Sequence, residues 1–212
     1  EQLVARAAAA GLASVVHAIG DAAVSLALDV LGRAPRSGLA MPHRIEHVQC
    51  CAPDRLADAG RSGIVCSVQP SHLLSDWQAA DRHWGARARH AYAFRSLAAG
   101  GATLAFGSDA PVEPVDPRLS LFAAVTRQDT EGKPVGGWYP EERIDVSDAL
   151  VAFTRGPAIA AGMDRELGRL EPGTLGDIAV WDRDPLAVPA SELPAMRCTA
   201  TIVGGQLVWR DA

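Results

Sequence analysis

The chain alternates four short apolar segments with segments of helical periodicity, and this alternation restricts its fold more than any other feature. The apolar segments cover residues 13–18, 44–49, 64–69 and 103–106. The helical segments that follow them cover residues 22–31, 53–59, 86–99 and 119–126. Strands that alternate with helices form a parallel sheet with right-handed crossovers. The sequence therefore predicts an α/β fold built from four parallel β-α units.

The regions that flank these units differ from each other. Apolar residues at helical spacing predict further helices at residues 2–11 and 146–161. The tail instead has turn residues and short strands, which are predicted at 178–181, 200–203 and 207–209, the last two joined at Gly204-Gly205. We therefore predict two domains, with the parallel sheet in residues 1–165 and a small β subdomain in residues 166–212.

Composition and charge exclude several classes of partner. The net charge is -5 and the 20 basic residues are dispersed, which argues against nucleic-acid binding. No apolar run approaches the roughly 20 residues of a membrane span, and no glycine-rich phosphate loop follows any predicted strand. The expected partner is a small-molecule substrate. The four cysteines, Cys50, Cys51, Cys66 and Cys198, match no zinc-binding spacing, so we expect reduced and mostly buried thiols and a cytoplasmic location.

Three residues stand at the ends of predicted strands and have side chains that bind metals. His17 and His47 lie near the ends of the first and second strands, and Asp109 follows the fourth in the sequence Gly107-Ser-Asp-Ala-Pro111. The carboxyl ends of barrel strands converge on one face. Two imidazoles and a carboxylate suit zinc or a similar divalent ion, which lowers the pKa of a bound water to about 7. Alternatively, each histidine is a hydrogen-bonded core residue and Asp109 caps a turn.

An ordered set of motifs resembles a known family. The motifs are His17-Ala-Ile-Gly-Asp21, Arg44-Ile-Glu-His47, Gln69-Pro-Ser-His72, Gly107-Ser-Asp-Ala-Pro111 and Pro172-Gly-Thr-Leu-Gly-Asp177. Together they resemble the metal-dependent amidohydrolase superfamily, amidohydrolase family 3, in its YtcJ-like or N-substituted formamide deformylase-like branch. The resemblance implies the later half of a TIM (β/α)8 barrel, with the tail contributing strands to a flanking β-sandwich.

The same resemblance implies roles for individual residues. His17 and His47 would be metal ligands, and Asp109 would be both a ligand and the general base. Gln69 and His72 would be substrate-binding groups or would support the ligands. The implied cofactor is a divalent metal, zinc in our interpretation, with one or two ions in the complete enzyme. The implied reaction is hydrolysis of a non-peptide carbon–nitrogen bond, in an amide or a formamide, by metal-activated water.

One part of the family pattern does not occur in this sequence. Members of the family bring a His-x-His pair on the first barrel strand and a bridging ligand near the fourth, and neither precedes His17. We therefore expect this chain to be the carboxy-terminal half of a longer enzyme. Two open sheet edges would favour self-association or pairing with the amino-terminal half. The alternative function is a non-catalytic interaction or assembly module with an incomplete metal site and no bound metal.

Other residues carry weaker predictions. Asp21 is interpreted as a cap for the helix at 22–31 or as a neighbour of the metal. Trp77 and Trp84 are placed in a long loop after the third strand, where they would line a substrate pocket or cover the end of the barrel. His43 lies among charged residues and is expected to be solvated.

Overall fold

Four short parallel strands form the main sheet, in the order β1-β2-β3-β4. The computed structural model describes residues 1–211. The strands are β1 Val15–Ala18, β2 Arg44–His47, β3 Val65–Val68, β4 Thr103–Phe106, β5 Ile178–Trp181, β6 Cys198–Val203 and β7 Gln206–Arg210. The helices are α1 Gln2–Ala9, α2 Asp21–Arg33, α3 Asp58–Ser62, α4 His72–Trp84, α5 Phe94–Ala99, α6 Pro117–Thr126 and α7 Val146–Ala160. All four predicted parallel strands are confirmed, and β4 has the predicted bounds.

The main sheet is covered by helices, and this explains its apolar sequence. In β3, Val65, Cys66 and Val68 are each 1% exposed, because a parallel strand between two others is buried on both faces. On the helical side, α2 buries one stripe of side chains that includes Val24 and Leu31, both 0% exposed. Adjacent strands pair without shifts in register, so their carboxyl ends lie along one edge of the sheet.

The segment after β3 differs from the prediction. It is the helix α4, so Trp77 and Trp84 lie on a helix and not in a loop. Leu73, Trp77, Ala80 and Trp84 recur at helical spacing. Leu73 and Ala80 belong to the core, and the partly buried Trp77 and Trp84 pack against it. The predicted helix at 86–99 is instead a 3-10 turn followed by the short helix α5.

A smaller difference occurs after β2. The predicted helix at 53–59 is a 3-10 turn, Pro53–Arg55, followed by α3. Gly60, which directly follows the predicted helix, lies within α3, and Gly63 ends α3 with φ 64°. A Cβ on Gly60 would lie 2.2 Å from the carbonyl oxygen of Gly100. Gly60 therefore permits close backbone packing, a role that helix-ending rules do not consider.

Two polar residues lie in environments that the sequence did not predict. His43 is 0% exposed, not solvated, and its Nδ1 accepts a hydrogen bond from the Ser14 N–H at 3.0 Å. Asp21 does not cap α2, because Gly20 is the N-cap residue and Asp21 begins the helix. The Asp21 carboxylate instead pairs with Arg87, at 2.8 Å from its Nη1, and this pairing lowers the pKa of Asp21.

The tail forms a separate antiparallel sheet in the order β5-β6-β7. Its strands confirm the predicted strands, and Gly204 and Gly205 make the predicted turn with φ values of 57° and 79°. Both values lie in the left-handed region that glycine adopts at little cost. Within residues 1–211, none of the helices combines the length and the apolar character that a membrane crossing requires.

The cysteines confirm the prediction of free, mostly buried thiols. Cys50, Cys51 and Cys66 are each 1% exposed, Cys198 is half-buried, and none forms a disulfide. Burial raises the pKa of Cys50 to about 11 and the pKa of Cys51 and Cys66 to about 12. Since the thiolate is the reactive form, the buried thiols should be unreactive in the folded chain.

A thiol titration tests the expected difference in reactivity between Cys198 and the three buried cysteines. We expect Ellman's reagent to modify one thiol, Cys198, in the folded chain, and to modify the other three only after unfolding in guanidinium chloride. The Cys198→Ser variant should lose the fast reaction. Any fast equivalent in that variant would contradict the burial of the other thiols.

Candidate metal centre

The strand ends bring the predicted site residues to one edge of the sheet. His17 lies in β1, where it pairs with Glu46, and His47 is the last residue of β2, where it pairs with Ala18. Gln69 follows β3 directly, and Asp109 lies three positions beyond β4. His72 begins α4 and reaches the same edge. The five residues therefore share one end of the parallel strands, where α/β folds carry their reactive groups.

Their side chains lie close together. The imidazole rings of His17 and His47 are 4.5 Å apart between centroids, and those of His47 and His72 are 6.0 Å apart. The His72 Nε2 lies 4.0 Å from the Asp109 Oδ2. One donor atom from each of His47, His72 and Asp109 falls within 4.8 Å of the others. The tightest group thus contains His72 in the place that the sequence assigned to His17, which is exposed and lies against His47.

Unusual backbone conformations direct two of these side chains. His47 has φ 76°, the next residue Val48 has φ 45°, and Asp109 has φ 57°. Positive φ costs a non-glycine residue of order 1–3 kcal/mol, and such strain persists where the surrounding structure imposes it. Val48 is β-branched, for which this conformation is especially rare. The chain therefore turns sharply at the end of β2, and this turn points His47 toward Asp109.

Two buried glutamines hold two of the imidazoles. The Oε1 of Gln69 lies 3.0 Å from the Nδ1 of His47, and the Nε2 of Gln49 lies 3.2 Å from the Nδ1 of His72. Gln69 was predicted at this edge, whereas the sequence analysis missed Gln49. Its position two residues after a candidate ligand was the only available signal.

The electrostatic environment favours the neutral form of His47. Partial burial lowers the pKa of the His47 imidazole, and the neighbouring His17 lowers it further. Gln69 and Asp109 oppose this shift but do not reverse it. Since the neutral imidazole is the form that binds metals, His47 remains able to bind one at a lower pH than an ordinary histidine.

One ring nitrogen of the site lacks a hydrogen-bond partner in the part of the chain that the structure describes. The Nε2 of His72 is buried and has no hydrogen-bond partner among residues 1–211. Buried polar atoms are nearly always paired, so such an atom calls for an explanation. Its nearest carboxylate oxygen, on Asp109, is beyond hydrogen-bonding distance at 4.0 Å. This nitrogen is therefore a buried polar atom of the site whose hydrogen-bonding capacity is unused within the described residues.

Comparisons with known proteins show which proteins this chain is similar to. The chain is 39% identical to the protein LONG AFTER FAR-RED 3 of Arabidopsis thaliana over 94% of its length, and 30% identical to YtcJ of Bacillus subtilis over 100%. It is 29% identical to the N-substituted formamide deformylase of Arthrobacter pascens over 97% of its length. The chain spans only 34%, 40% and 38% of the lengths of these relatives.

A solved structure and a family model extend the comparison. The crystal structure of an uncharacterized metal-dependent hydrolase from Pyrococcus horikoshii OT3 superposes with a TM-score of 0.71 at 34% identity, covering 89% of this chain and 38% of that one. The likeness confirms the expected fold, the later half of a TIM barrel with a small separate β-sheet. Because the sequence model of the Amidohydrolase family matches residues 1–209, the chain belongs to that family.

Proposed function

We propose that this chain carries part of the active site of a hydrolase that cleaves a non-peptide carbon–nitrogen bond, in an amide or a formamide, with a divalent metal ion. Membership of the Amidohydrolase family supports the reaction class. The name of the Arthrobacter pascens relative supports formamides as substrates. The observation that carries the proposal is the clustering at one edge of the sheet: His47, His72 and Asp109 bring donor atoms within 4.8 Å of one another, and the His17 ring lies 4.5 Å from that of His47.

The donor set fits a metal such as zinc. His17 and His47 offer nitrogen and Asp109 offers oxygen, and zinc takes these donors in three-ligand catalytic sites. The amide oxygen of Gln69 only accepts hydrogen bonds, so the His47 Nδ1 must donate to it. This leaves a lone pair on the other ring nitrogen, in the arrangement usual for metal-binding histidines. When bound, such an ion lowers the pKa of a coordinated water to about 7.

The remaining groups have roles of their own. The Asp109 side chain is 40% exposed, so its carboxylate is open to the solvent and to an incoming substrate. We propose that Asp109 takes the proton of the attacking water as general base. Gln69 and His72, at the end of β3 and the start of α4, would orient the substrate and support the ligands.

The complete enzyme would be larger than this chain. Because the chain spans 34–40% of its curated relatives, we propose that residues outside it supply further ligands and parts of the substrate pocket. Residues 1–165 would form half of the barrel and residues 166–212 would join the flanking β-sandwich. The outer edges of β1 and β4 would then pair with the other half or with a second copy.

Ligand substitutions test the proposal. We expect the chain purified with zinc to hold a stoichiometric ion, and His17→Ala, His47→Ala and Asp109→Asn to lose it. Where the unmodified chain, alone or completed by the missing half, hydrolyses N-substituted formamides, the three variants should lose turnover as well. Metal content would be measured by plasma mass spectrometry, and hydrolysis by formate release.

The control is His83→Ala, which removes an exposed histidine at the far end of α4. It should keep metal and turnover. Normal metal content or normal rates in the three ligand variants would refute the assignment. A chain without stoichiometric metal that forms a stable oligomer would instead favour the non-catalytic assembly module.

A further inference from the structure

Two glutamines contact the site histidines through opposite ends of their amide groups. Gln69 presents its Oε1 to the Nδ1 of His47, whereas Gln49 presents its Nε2 to the Nδ1 of His72. Both glutamines are buried, at 5% and 8% exposure. An amide oxygen can only accept a hydrogen bond, and an amide nitrogen can only donate one. The two contacts therefore impose different requirements on the two imidazoles.

The requirements fix where each neutral ring carries its hydrogen. The Nδ1 of His47 must donate to Gln69, so its Nε2 has a free lone pair. The Nδ1 of His72 must accept from Gln49, so its Nε2 carries the hydrogen. A neutral imidazole has one N–H and one acceptor nitrogen. The Nε2 of His47 can therefore bind a cation, and the Nε2 of His72 can donate a hydrogen bond.

The position of Gln49 is itself strongly determined. Its carbonyl oxygen accepts a hydrogen bond of 2.7 Å from the N–H of Tyr92. The Tyr92 hydroxyl donates to the Oδ2 of Asp76 at 2.9 Å, and Asp76 lies one turn beyond His72 on α4. Tyr92 therefore links the backbone of Gln49 to the helix that carries His72. This link keeps the amide and the imidazole in contact.

We propose that Gln49 is a positioning residue that holds His72 with its N–H directed into the site, so that His72 donates a hydrogen bond to an oxygen of the bound ligand and does not bind the metal. The Nε2 is buried, unpaired among residues 1–211, and 4.0 Å from the Asp109 Oδ2. If the proposed function is right, and this step rests on it, the acceptor is the carbonyl oxygen of the amide or formamide. The donor would stabilise the negative charge that develops on that oxygen.

Nuclear magnetic resonance of the metal-free chain tests the proposal directly. Protonated and unprotonated ring nitrogens differ in their ¹⁵N chemical shifts, and the spectrum would be recorded at about pH 8, above the ordinary imidazole pKa of about 6.5. We expect the hydrogen of His47 on Nδ1 and that of His72 on Nε2. In Gln49→Glu the carboxylate accepts only, so the Nδ1 of His72 should become protonated.

The matched control is Gln78→Glu, at an exposed position on α4, the helix that begins with His72. This substitution should leave the hydrogen positions on both rings unchanged. Hydrogen on the Nδ1 of His72 in the unmodified chain would overturn the proposal, as would an unprotonated Nδ1 in Gln49→Glu. If that variant does not fold, the spectrum of the unmodified chain still decides. Since no metal is added, the result is independent of zinc binding, whose failure would refute only the proposed function.

Discussion

Replacing Arg127 with methionine is expected to lower the free energy of unfolding by about 3–5 kcal/mol. Arg127 is 0% exposed, and its guanidinium donates to three backbone carbonyls, those of Trp138 at 2.5 Å, Tyr92 at 2.6 Å and Ala91 at 3.1 Å. It also lies over the rings of Phe94 and Trp138. Methionine fills similar space but removes the Arg127 donors of these buried carbonyl oxygens, of which that of Tyr92 keeps a hydrogen bond from the Phe94 N–H.

The charge on Arg127 changes the size of this effect but not its sign. Burial lowers the pKa of Arg127 to about 10, so the guanidinium stays charged at neutral pH and is costly to bury. Methionine removes that cost. However, hydrogen bonds to charged groups contribute roughly 1.5–3 kcal/mol each, and three of them are lost. The lost hydrogen bonds should therefore outweigh the relief of burying a charge.

Urea unfolding followed by circular dichroism measures the difference. The free energy of unfolding of Arg127→Lys, which keeps the charge but offers a single nitrogen, should lie between those of the unmodified chain and of Arg127→Met. The lysine variant remains measurable if the methionine variant does not fold. The control is Arg89→Met, since the Arg89 side chain is 62% exposed and its ion pair with Glu141 is long, at 3.9 Å. That change should alter stability by less than about 0.5 kcal/mol. A loss below about 1 kcal/mol in both Arg127 variants would contradict the structural role.

The same contacts connect Arg127 to the candidate site. It holds the carbonyls of Ala91 and Tyr92, and the N–H of Tyr92 donates to Gln49. Nothing in the sequence predicted this, because Arg127 opens the stretch between the predicted helices at 119–126 and 146–161, whose glycine and proline residues are typical of a loop. The stretch is indeed irregular, but a positive φ of 55° turns Arg127 inward. Sequence patterns locate such loops without showing which charged residue they bury.

The parallel sheet was predictable because its signals are local. Each strand is a short apolar run bounded by turn residues, and β-α alternation leaves few possible topologies. Helix α4 was missed even though residues 72–84 contain no glycine or proline and place Leu73, Trp77, Ala80 and Trp84 at helical spacing. Its polar residues resembled a loop, because only one face of this helix packs against the core.

The candidate site was predictable to the level of the strand ends. The positions of His17, His47 and Asp109 relative to the strands placed them at one edge, and the structure brings them there. The contact between Gln49 and His72 joins residues 23 positions apart in sequence and depends on the strained turn at Val48. No periodicity encodes such a turn, so neither the tightest donor group nor the role of Gln49 followed from the sequence.

Helix α7 offers the second large effect, because its backbone lies directly against β4. Gly156 is buried in the middle of this helix, and a Cβ placed on it would lie 2.0 Å from the carbonyl oxygen of Leu104. That oxygen belongs to the backbone of β4, so no side-chain rotation relieves the overlap. The helix would have to move away from the sheet and lose contacts along its whole length. We expect Gly156→Ala to lower the free energy of unfolding by about 3 kcal/mol, the upper part of the range for overpacked cores.

The sign of this change is informative because helix propensity predicts the opposite. In an open helical position, alanine stabilises relative to glycine by up to about 1 kcal/mol. Gly32 in α2 provides that position, since a Cβ there would meet only the Cβ of Ser62 at an ordinary 3.8 Å. Gly32→Ala should therefore raise the midpoint of urea unfolding while Gly156→Ala lowers it. If both substitutions stabilised the chain, α7 could not approach β4 as closely as the structure shows, and the helix cover of the last strand would need another explanation.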